Sequence, residues 1–387
     1  MKGMNGTSVP GPGSRVASIR KGRGLSQVAL AQKAGVSVSL LSKVEVGDRV
    51  LTQGVAASLA RAMGLTLAQM LGSAPEENLS ALNHAIRRFD LPGDRPDLPD
   101  RLPREVDDLN RLRWDSELSK VLERLPRVLT EATNHAHAAG SPAAWTLVAD
   151  IYGVVYWLAA RHRWMHLAEL ATMKQRLAAE RADPIAAIVA ARDEAGTFLN
   201  SGDFAGGLAI VDRAVVAAES VLGGHERAFG LGILHLRGLT LAGRLKDKQT
   251  MNRHLAAAWR VADEFPSDIA VHGLHFGPEN TATHVISTAS DMEQHRTALS
   301  TADDLIRGGH SLPPTRVAPL YMNFGRSQLA LGDQDAALES LEEAWASAPE
   351  MAAVHPTSLE LVRVLTSLHK RSNPRLTRIA ARAGITI

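Results

Sequence analysis

Leu25–Arg49 reads LSQVALAQKAGVSVSLLSKVEVGDR. Ser26 is placed to cap a helix, its hydroxyl accepting from a free backbone N–H of the first turn. Val28, Leu30, Ala31 and Ala34 give that helix an apolar stripe. Gly35 supplies the left-handed residue of a sharp turn. Val36 then re-enters the core, and Ser37 caps a second helix running to about Val46. Leu41 and Val44, three apart, share its inner face, and Gly47 stops it. Upstream, Arg15–Lys21 is long enough for a first helix broken by Gly22 and Gly24. Downstream, Val55, Leu59 and Ala60 continue helically, and Leu65-Thr66-Leu67 with Met70-Leu71 suggest one more.

Two short helices about a glycine turn make a helix-turn-helix. Leu25-Ser26-Gln27, Leu30-Ala31, Ala34-Gly35-Val36-Ser37, Ser42-Lys43-Val44-Glu45, Gly47, Leu59-Ala60 and Met63-Gly64-Leu65 together resemble the lambda-repressor/Cro-like, or Xre-type, regulators. The resemblance covers Arg15 to Gly72. It implies a five-helix DNA-binding domain whose third helix enters the major groove of double-stranded DNA. On that docking, Gln27 and the amides at the start of the second helix meet a phosphate. Ser37, Val38, Ser39, Ser42 and Lys43 face the bases. Lys43 reaches either guanine O6/N7 or a phosphate; Val38 touches thymine methyls, with Leu40 either beside it or partly buried. Polar residues often fill these slots in the family, so the Ser/Val-rich face does not name an operator. Family members bind two half-sites, which implies a homodimer.

The charge distribution agrees. Residues 1–72 hold nine Lys/Arg against two Asp/Glu, whereas the other 315 hold 34 against 39. A basic module on a mildly acidic body suits a polyanionic partner for the module alone.

After Gly72 the segment DLPGDRPDLPDRLPRE, residues 90–105, carries Pro92, Pro96, Pro99 and Pro103. Such density precludes a continuous helix or a central strand. The domain reading is a disordered tail over 1–13, the helix-turn-helix domain over 14–72, a helix and proline-rich linker over 73–103, and a helical body over 104–387.

That body shows Ala and Leu at 3–4 spacing and no convincing alternating strand. Tyr321, Phe324-Gly325, Leu331-Gly332, Ala337, Leu341, Ala344 and Pro349 fit a 34-residue unit starting at Ala318, which resembles the tetratricopeptide repeat. Gln328, where an aromatic is usual, departs from it. Degenerate copies follow at Ala191–Val216, at His254–Trp259 and as the pair Val148–Ala160 with Leu167–Ala179. The fold class expected is therefore all-α: a lambda-repressor-like domain followed by a repeat-built solenoid with a concave groove. The basic C-terminal helix RLTRIAARAGI, with Leu376, Ile379 and Ala380 on its apolar side, is read as the cap of that stack.

Tyr152, Tyr156, Trp157, Arg161 and Trp164 lie at helical spacing. The stretch HGLHFGPEN, residues 272–280, is the least repeat-like. It resembles Xre regulators with tetratricopeptide bodies that carry an F-G-P-x-N helix start and, more distantly, peptide-pheromone receptors. By that resemblance the groove takes a peptide or small-molecule effector, with Asn280, His284 and Arg326 as candidate contacts.

Several chemistries are disfavoured. The chain has no cysteine, which excludes disulfides, thiolate metal sites and thiol nucleophiles. There is no phosphate-binding Gly-Lys-Ser/Thr loop, no Gly-x-Ser-x-Gly elbow and no His-Glu-x-x-His. His162/His166 and His135/His137 read as coincidental spacing, so no metal or cofactor is expected. No apolar run approaches a membrane span, and the first 13 residues lack the apolar stretch of a signal peptide. The expectation is a cytoplasmic, non-enzymatic, ligand-responsive transcription regulator. The alternative is a DNA-tethered protein-interaction scaffold of the antitoxin-like or partner-recruiting kind.

Overall fold

The computed structural model describes residues 12–49, 51–64, 74–368, 373–383 and 385. It divides into two compact units, Met1–Asn83 and His84–Ile387.

In the first unit, α1 (Pro12–Gly22), α2 (Gln27–Ala34), α3 (Val38–Val46) and α4 (Gln53–Ala62) surround one small core. Val16, Leu30, Ala31, Leu41, Leu59 and Met63 fill it. The capping chemistry is that expected. Ser26 accepts from the Ala29 N–H at 3.1 Å, and Ser37 from the Leu40 N–H at 3.1 Å. Gly35 (φ 67°) and Gly47 (φ 90°) end α2 and α3 in the left-handed region that a side chain would resist. Thr52 caps α4. Pro12 and Gly13 already belong to α1, so the proposed tail of 13 residues is too long by two: proline is tolerated in a helix's first turn, where its missing N–H costs nothing. The remainder of that tail, and the fifth helix expected near Leu65–Leu71, lie outside the described residues.

Helix α5 (Ala74–Arg87) leads into the second unit. There the segment read as a linker lies on the body. Phe89 is fully buried among the rings of His137, Trp145 and Tyr152. The Asn134 side-chain amide bonds both the Gly93 N–H and the Asp94 carbonyl. The prolines forbid a regular ladder, so side chains of the body satisfy this backbone instead.

The second unit continues with α6 (Leu102–Trp114), α7 (Leu118–Ala139), α8 (Pro142–Arg161), α9 (Met165–Ala179), α10 (Pro184–Ser201), α11 (Phe204–Val221), α12 (Gly224–Leu245) and α13 (Lys248–Ala262). After a hairpin come α14 (Pro278–Asp291), α15 (His295–Gly308), α16 (Pro314–Ala330), α17 (Gln334–Ser347), α18 (Pro349–Val354), α19 (Pro356–Leu368) and α20 (Pro374–Arg382). Successive helices pack as antiparallel pairs, α8/α9 through α16/α17, and first helices of neighbouring pairs also touch. This is the repeat logic read from the sequence: no pair buries its apolar face alone. Within α16/α17, a Cβ on Gly325 would stand 3.1 Å from the Ala337 carbonyl oxygen, which is why glycine sits there. Gln328, at the unusual position, accepts from the Ser340 hydroxyl at 2.7 Å. The last helix, α20, buries Leu376, Ile379 and Ala380 as expected. Its Arg375 pairs with Glu342, and Arg382 lies over the Trp345 ring.

One expectation needs correction. The body contains strands, Ile269–Val271 (β1) and Leu274–Phe276 (β2), paired antiparallel with Ile269 opposite Phe276. His272 (φ 49°) and Gly273 (φ 68°) form the two-residue turn, whose positive φ values match strand twist. With only three residues per strand there was too little alternation to detect. Helix α8 is long and apolar enough to cross a membrane by length and composition. Thr146 and Asp150 interrupt it and Arg161 closes it, so it holds no uninterrupted apolar run of membrane length. Of the best window, 78% is buried inside the protein, which makes α8 the central core helix.

Candidate functional site

In the first unit, α3 presents a narrow polar face. Ser37, Val38, Ser39 and Lys43 are exposed, and Leu40 and Ser42 are half-buried. Leu41 and Val44 point inward. Gln27 opens α2, as predicted, but its amide is engaged: Nε2 donates to Glu45 Oε2 at 2.8 Å. Glu45 also receives Arg20, through Nε at 2.6 Å and a terminal nitrogen at 2.8 Å. A further nitrogen of Arg20 donates to the Leu25 carbonyl at 2.8 Å. Burial pushes the Glu45 carboxyl up, but the Arg20 and Gln27 bonds outweigh it and hold the group below the ordinary glutamate range. The lattice Arg20–Glu45–Gln27 thus ties α1, α2 and α3 together beneath the exposed face. The Arg20/Glu45 pair was not foreseen; a buried acid inside a basic module was the available signal.

In the second unit the first helices of the pairs, with the end of α6, surround a cavity of about 230 Å³. Its wall carries six arginines: Arg113, Arg161, Arg192, Arg237, Arg244 and Arg316. Two have carboxylate partners. Arg192 pairs with Asp193 at 2.6 Å, and Arg244 with Asp291 at 2.6 Å. Among the described residues no carboxylate forms an ion pair with the other four. The Nε atoms of Arg161, Arg237 and Arg316 are buried without a hydrogen-bond partner. Desolvation, reinforced by the neighbouring arginines, pushes Arg113 and Arg237 down to about 10 and Arg316 to about 9. These three remain cationic at neutral pH. The imidazoles here are neutral for the same reason: His275 is pushed down to about 4, His355 to about 3, and His284 well below its ordinary value.

Aromatic rings complete the wall. Trp114 stands edge-on to His275 and donates Nε1–H to the Gly273 carbonyl at 3.2 Å. The Arg113 guanidinium lies 5.7 Å from the Trp157 ring centroid. Tyr156 rests its hydroxyl on Gly196, where any Cβ would collide with it.

Of the three residues singled out as ligand contacts, His284 lines this cavity, hydrogen-bonded to the Thr240 hydroxyl at 3.2 Å. Asn280 does not line it. Its Nδ2 donates to the His275 carbonyl at 2.7 Å, holding the hairpin on α14. Asp268 caps the same helix through the Glu279 and Asn280 N–H groups, 2.9 and 2.8 Å. The F-G-P-x-N stretch is therefore a folded joint: a Cβ on Gly277 would meet Asp268, and Phe276 packs flat on Gly232 of α12. Arg326 is spent on Asp291, at 2.8 Å, and does not line the cavity either. Of the aromatic stripe on α8, Tyr156, Trp157 and Arg161 reach the cavity while Tyr152 is core. Most of the arginines were missed. Their signal was a cation inside an otherwise buried run, as Arg192 is within IAAIVAARDEAG, residues 185–196.

Among the described residues no group of three His, Asp or Glu is arranged to hold a metal ion. His137 bonds the Phe89 carbonyl, and His162 stacks on Trp164.

Residues 16–70 match the family model described as Helix-turn-helix. Residues 16–70 therefore form a helix-turn-helix domain, here followed by a helical body with one short hairpin. Among solved structures, the chain is similar to PlcR from Bacillus thuringiensis in complex with the peptide PapR7 and DNA, at 13% identity and TM-score 0.31, covering 94% of this chain and 100% of that one. It is also similar to a PrgX/iCF10 complex (9%, TM-score 0.26, covering 94% and 98%). A third is the apo form of the competence regulator ComR from Streptococcus vestibularis (13%, TM-score 0.20, covering 97% and 98%). No curated protein matches the chain.

Proposed function

We propose that this protein is a sequence-specific DNA-binding transcription regulator whose helical body holds an effector. The observation carrying the first half is the match of residues 16–70 to the helix-turn-helix family, with the capped α2–turn–α3 geometry and an exposed α3 face. The basic excess of residues 1–72 supplies the sequence-independent attraction to phosphates. Lys43, exposed at the middle of α3, is the strongest candidate for a base or phosphate contact, with Ser37, Val38, Ser39 and Ser42 beside it. The free amides at the start of α2 take a phosphate, with Gln27 beside them, its side-chain amide already donating to Glu45. The cavity among the first helices supports the second half, and His284 is its predicted lining residue. Recognition of paired half-sites makes the working form a homodimer.

The test is the salt dependence of operator affinity for the full chain and for Lys43→Ala. A lost phosphate contact lowers affinity on all sequences and flattens the log–log salt slope by about one unit; a lost base contact changes base preference and costs about 1–3 kcal/mol. A Lys43→Ala chain with unchanged affinity, slope and preference would remove α3 from the interface.

A further inference from the structure

The cavity of the second unit is electrostatically incomplete. Six guanidinium groups face it from five different helices, and among the described residues only Asp193 and Asp291 pair with them. Asp291 is moreover shared with Arg326. The histidines add no charge at neutral pH. Proteins seldom bury charge without a partner, because desolvation is costly and like charges repel. Solvent access relieves part of that cost, yet three Nε atoms have neither water contact nor a hydrogen-bond partner. Arginine is the side chain whose planar fork fits phosphate and carboxylate oxygens in pairs. An array of such forks, rigidly mounted on packed helices and walled by Trp114, Tyr156 and Trp157, is organised before any ligand arrives.

We propose that this cavity binds a small organic polyanion, a molecule bearing two or more phosphate or carboxylate groups, through Arg113, Arg161, Arg237 and Arg316. The proposal rests on the reading of the cavity as the effector site and fixes the chemical class of the effector. A neutral or cationic peptide could accept hydrogen bonds through its carbonyls but would leave the four guanidinium groups without counter-charge. The polyanion replaces their mutual repulsion with charge-assisted hydrogen bonds and draws α6, α8, α12 and α16 about a common centre. Binding therefore stabilises the second unit directly.

The test is thermal unfolding of the full chain in a HEPES buffer of fixed ionic strength, with pyrophosphate, adenosine triphosphate with EDTA, citrate or an uncharged hexapeptide as probes. At least one polyanion at a hundred times its Kd is expected to raise Tm by about 5 °C or more. Pyrophosphate and the nucleotide against citrate separate phosphate from carboxylate recognition. Arg316→Gln and, on a different helix, Arg237→Gln are expected to weaken that binding by about tenfold or more. Both are also expected to leave the unliganded Tm unchanged or higher, since each removes one unanswered charge. A structural arginine would behave oppositely, with a lower unliganded Tm. The proposal is overturned if no polyanion moves Tm, if the hexapeptide alone does, or if the shift survives in both variants. Failure here with intact operator binding sinks only the ligand class; loss of operator recognition with an intact polyanion response sinks only the DNA-binding reading.

Discussion

Removing the Glu45 carboxylate is the sharpest perturbation of the helix-turn-helix unit. Arg20 and Glu45 are both buried, joined by two hydrogen bonds, with Gln27 as third member. Glu45→Leu leaves the guanidinium in place with one carbonyl bond and no counter-charge. Breaking a buried pair from one side costs about 3–5 kcal/mol. Because this pair sits at the edge of a small core, the lower figure of about 3 applies. A unit of this size has roughly 4–12 kcal/mol of stability in total, so the substitution consumes a large part of it. Amide hydrogen exchange over α1 and α3 reads the effect locally: about 3 kcal/mol corresponds to roughly a hundredfold faster exchange through opening. The double variant Arg20→Met with Glu45→Leu replaces both charges by apolar groups and is expected to recover most of the loss, since such replacement is often neutral. Exchange that changes less than about threefold in Glu45→Leu would refute the reasoning. So would a double variant no better than the single. The pair also sets an acid limit. The Glu45 group is held below the ordinary glutamate value of about 4.3, so its contribution is present above that pH and is lost as pH falls through the lowered value.

Further outcomes follow from the second unit. Burial lowers the His272 imidazole, but the Asp150 hydrogen bond at 3.0 Å and its charge more than offset this, leaving the group above its ordinary value. Its stabilisation is therefore full below about pH 6.5 and lost as pH rises through the raised value; a Tm-against-pH series is expected to fall across that window in the native chain and to be flatter in Asp150→Asn. Asn280→Ala is expected to lower Tm by leaving the His275 carbonyl unpaired, a cost of about 1–3 kcal/mol, with operator binding intact; a loss of effector response without a stability change would return Asn280 to the ligand. Light scattering is expected to give a dimer, twice the 41.5 kDa chain; a monomer at micromolar concentration with and without DNA would count against paired half-site recognition.

Where the sequence was legible, a local physical cause was at work. Ser26 and Ser37 cap because a hydroxyl at a helix start has one nearby job, and Gly35 and Gly47 end helices because few residues adopt positive φ. The α16/α17 pair was readable because Gly325 and Ala337 must be small where helices nearly touch. The cavity depends on nonlocal placement. Arg113, Arg161, Arg237 and Arg316 lie on four helices spread over two hundred residues, in repeats too degenerate to share a register. No spacing rule connects them. Asn280 was drawn to the ligand by motif resemblance, while the local geometry uses it to fasten a hairpin too short to leave a strand signature. Phe89 shows the same limit: prolines announce an irregular segment but not the surface that receives it.

The most direct test of the central claim is selection of a random duplex DNA library by the full chain, followed by sequencing of the retained pool. The account predicts enrichment of a sequence with two related half-sites, bound with an affinity that falls steeply with salt and is weakened by Lys43→Ala. A retained pool no richer in any sequence than the input, from protein whose first unit is folded by hydrogen exchange, would contradict it.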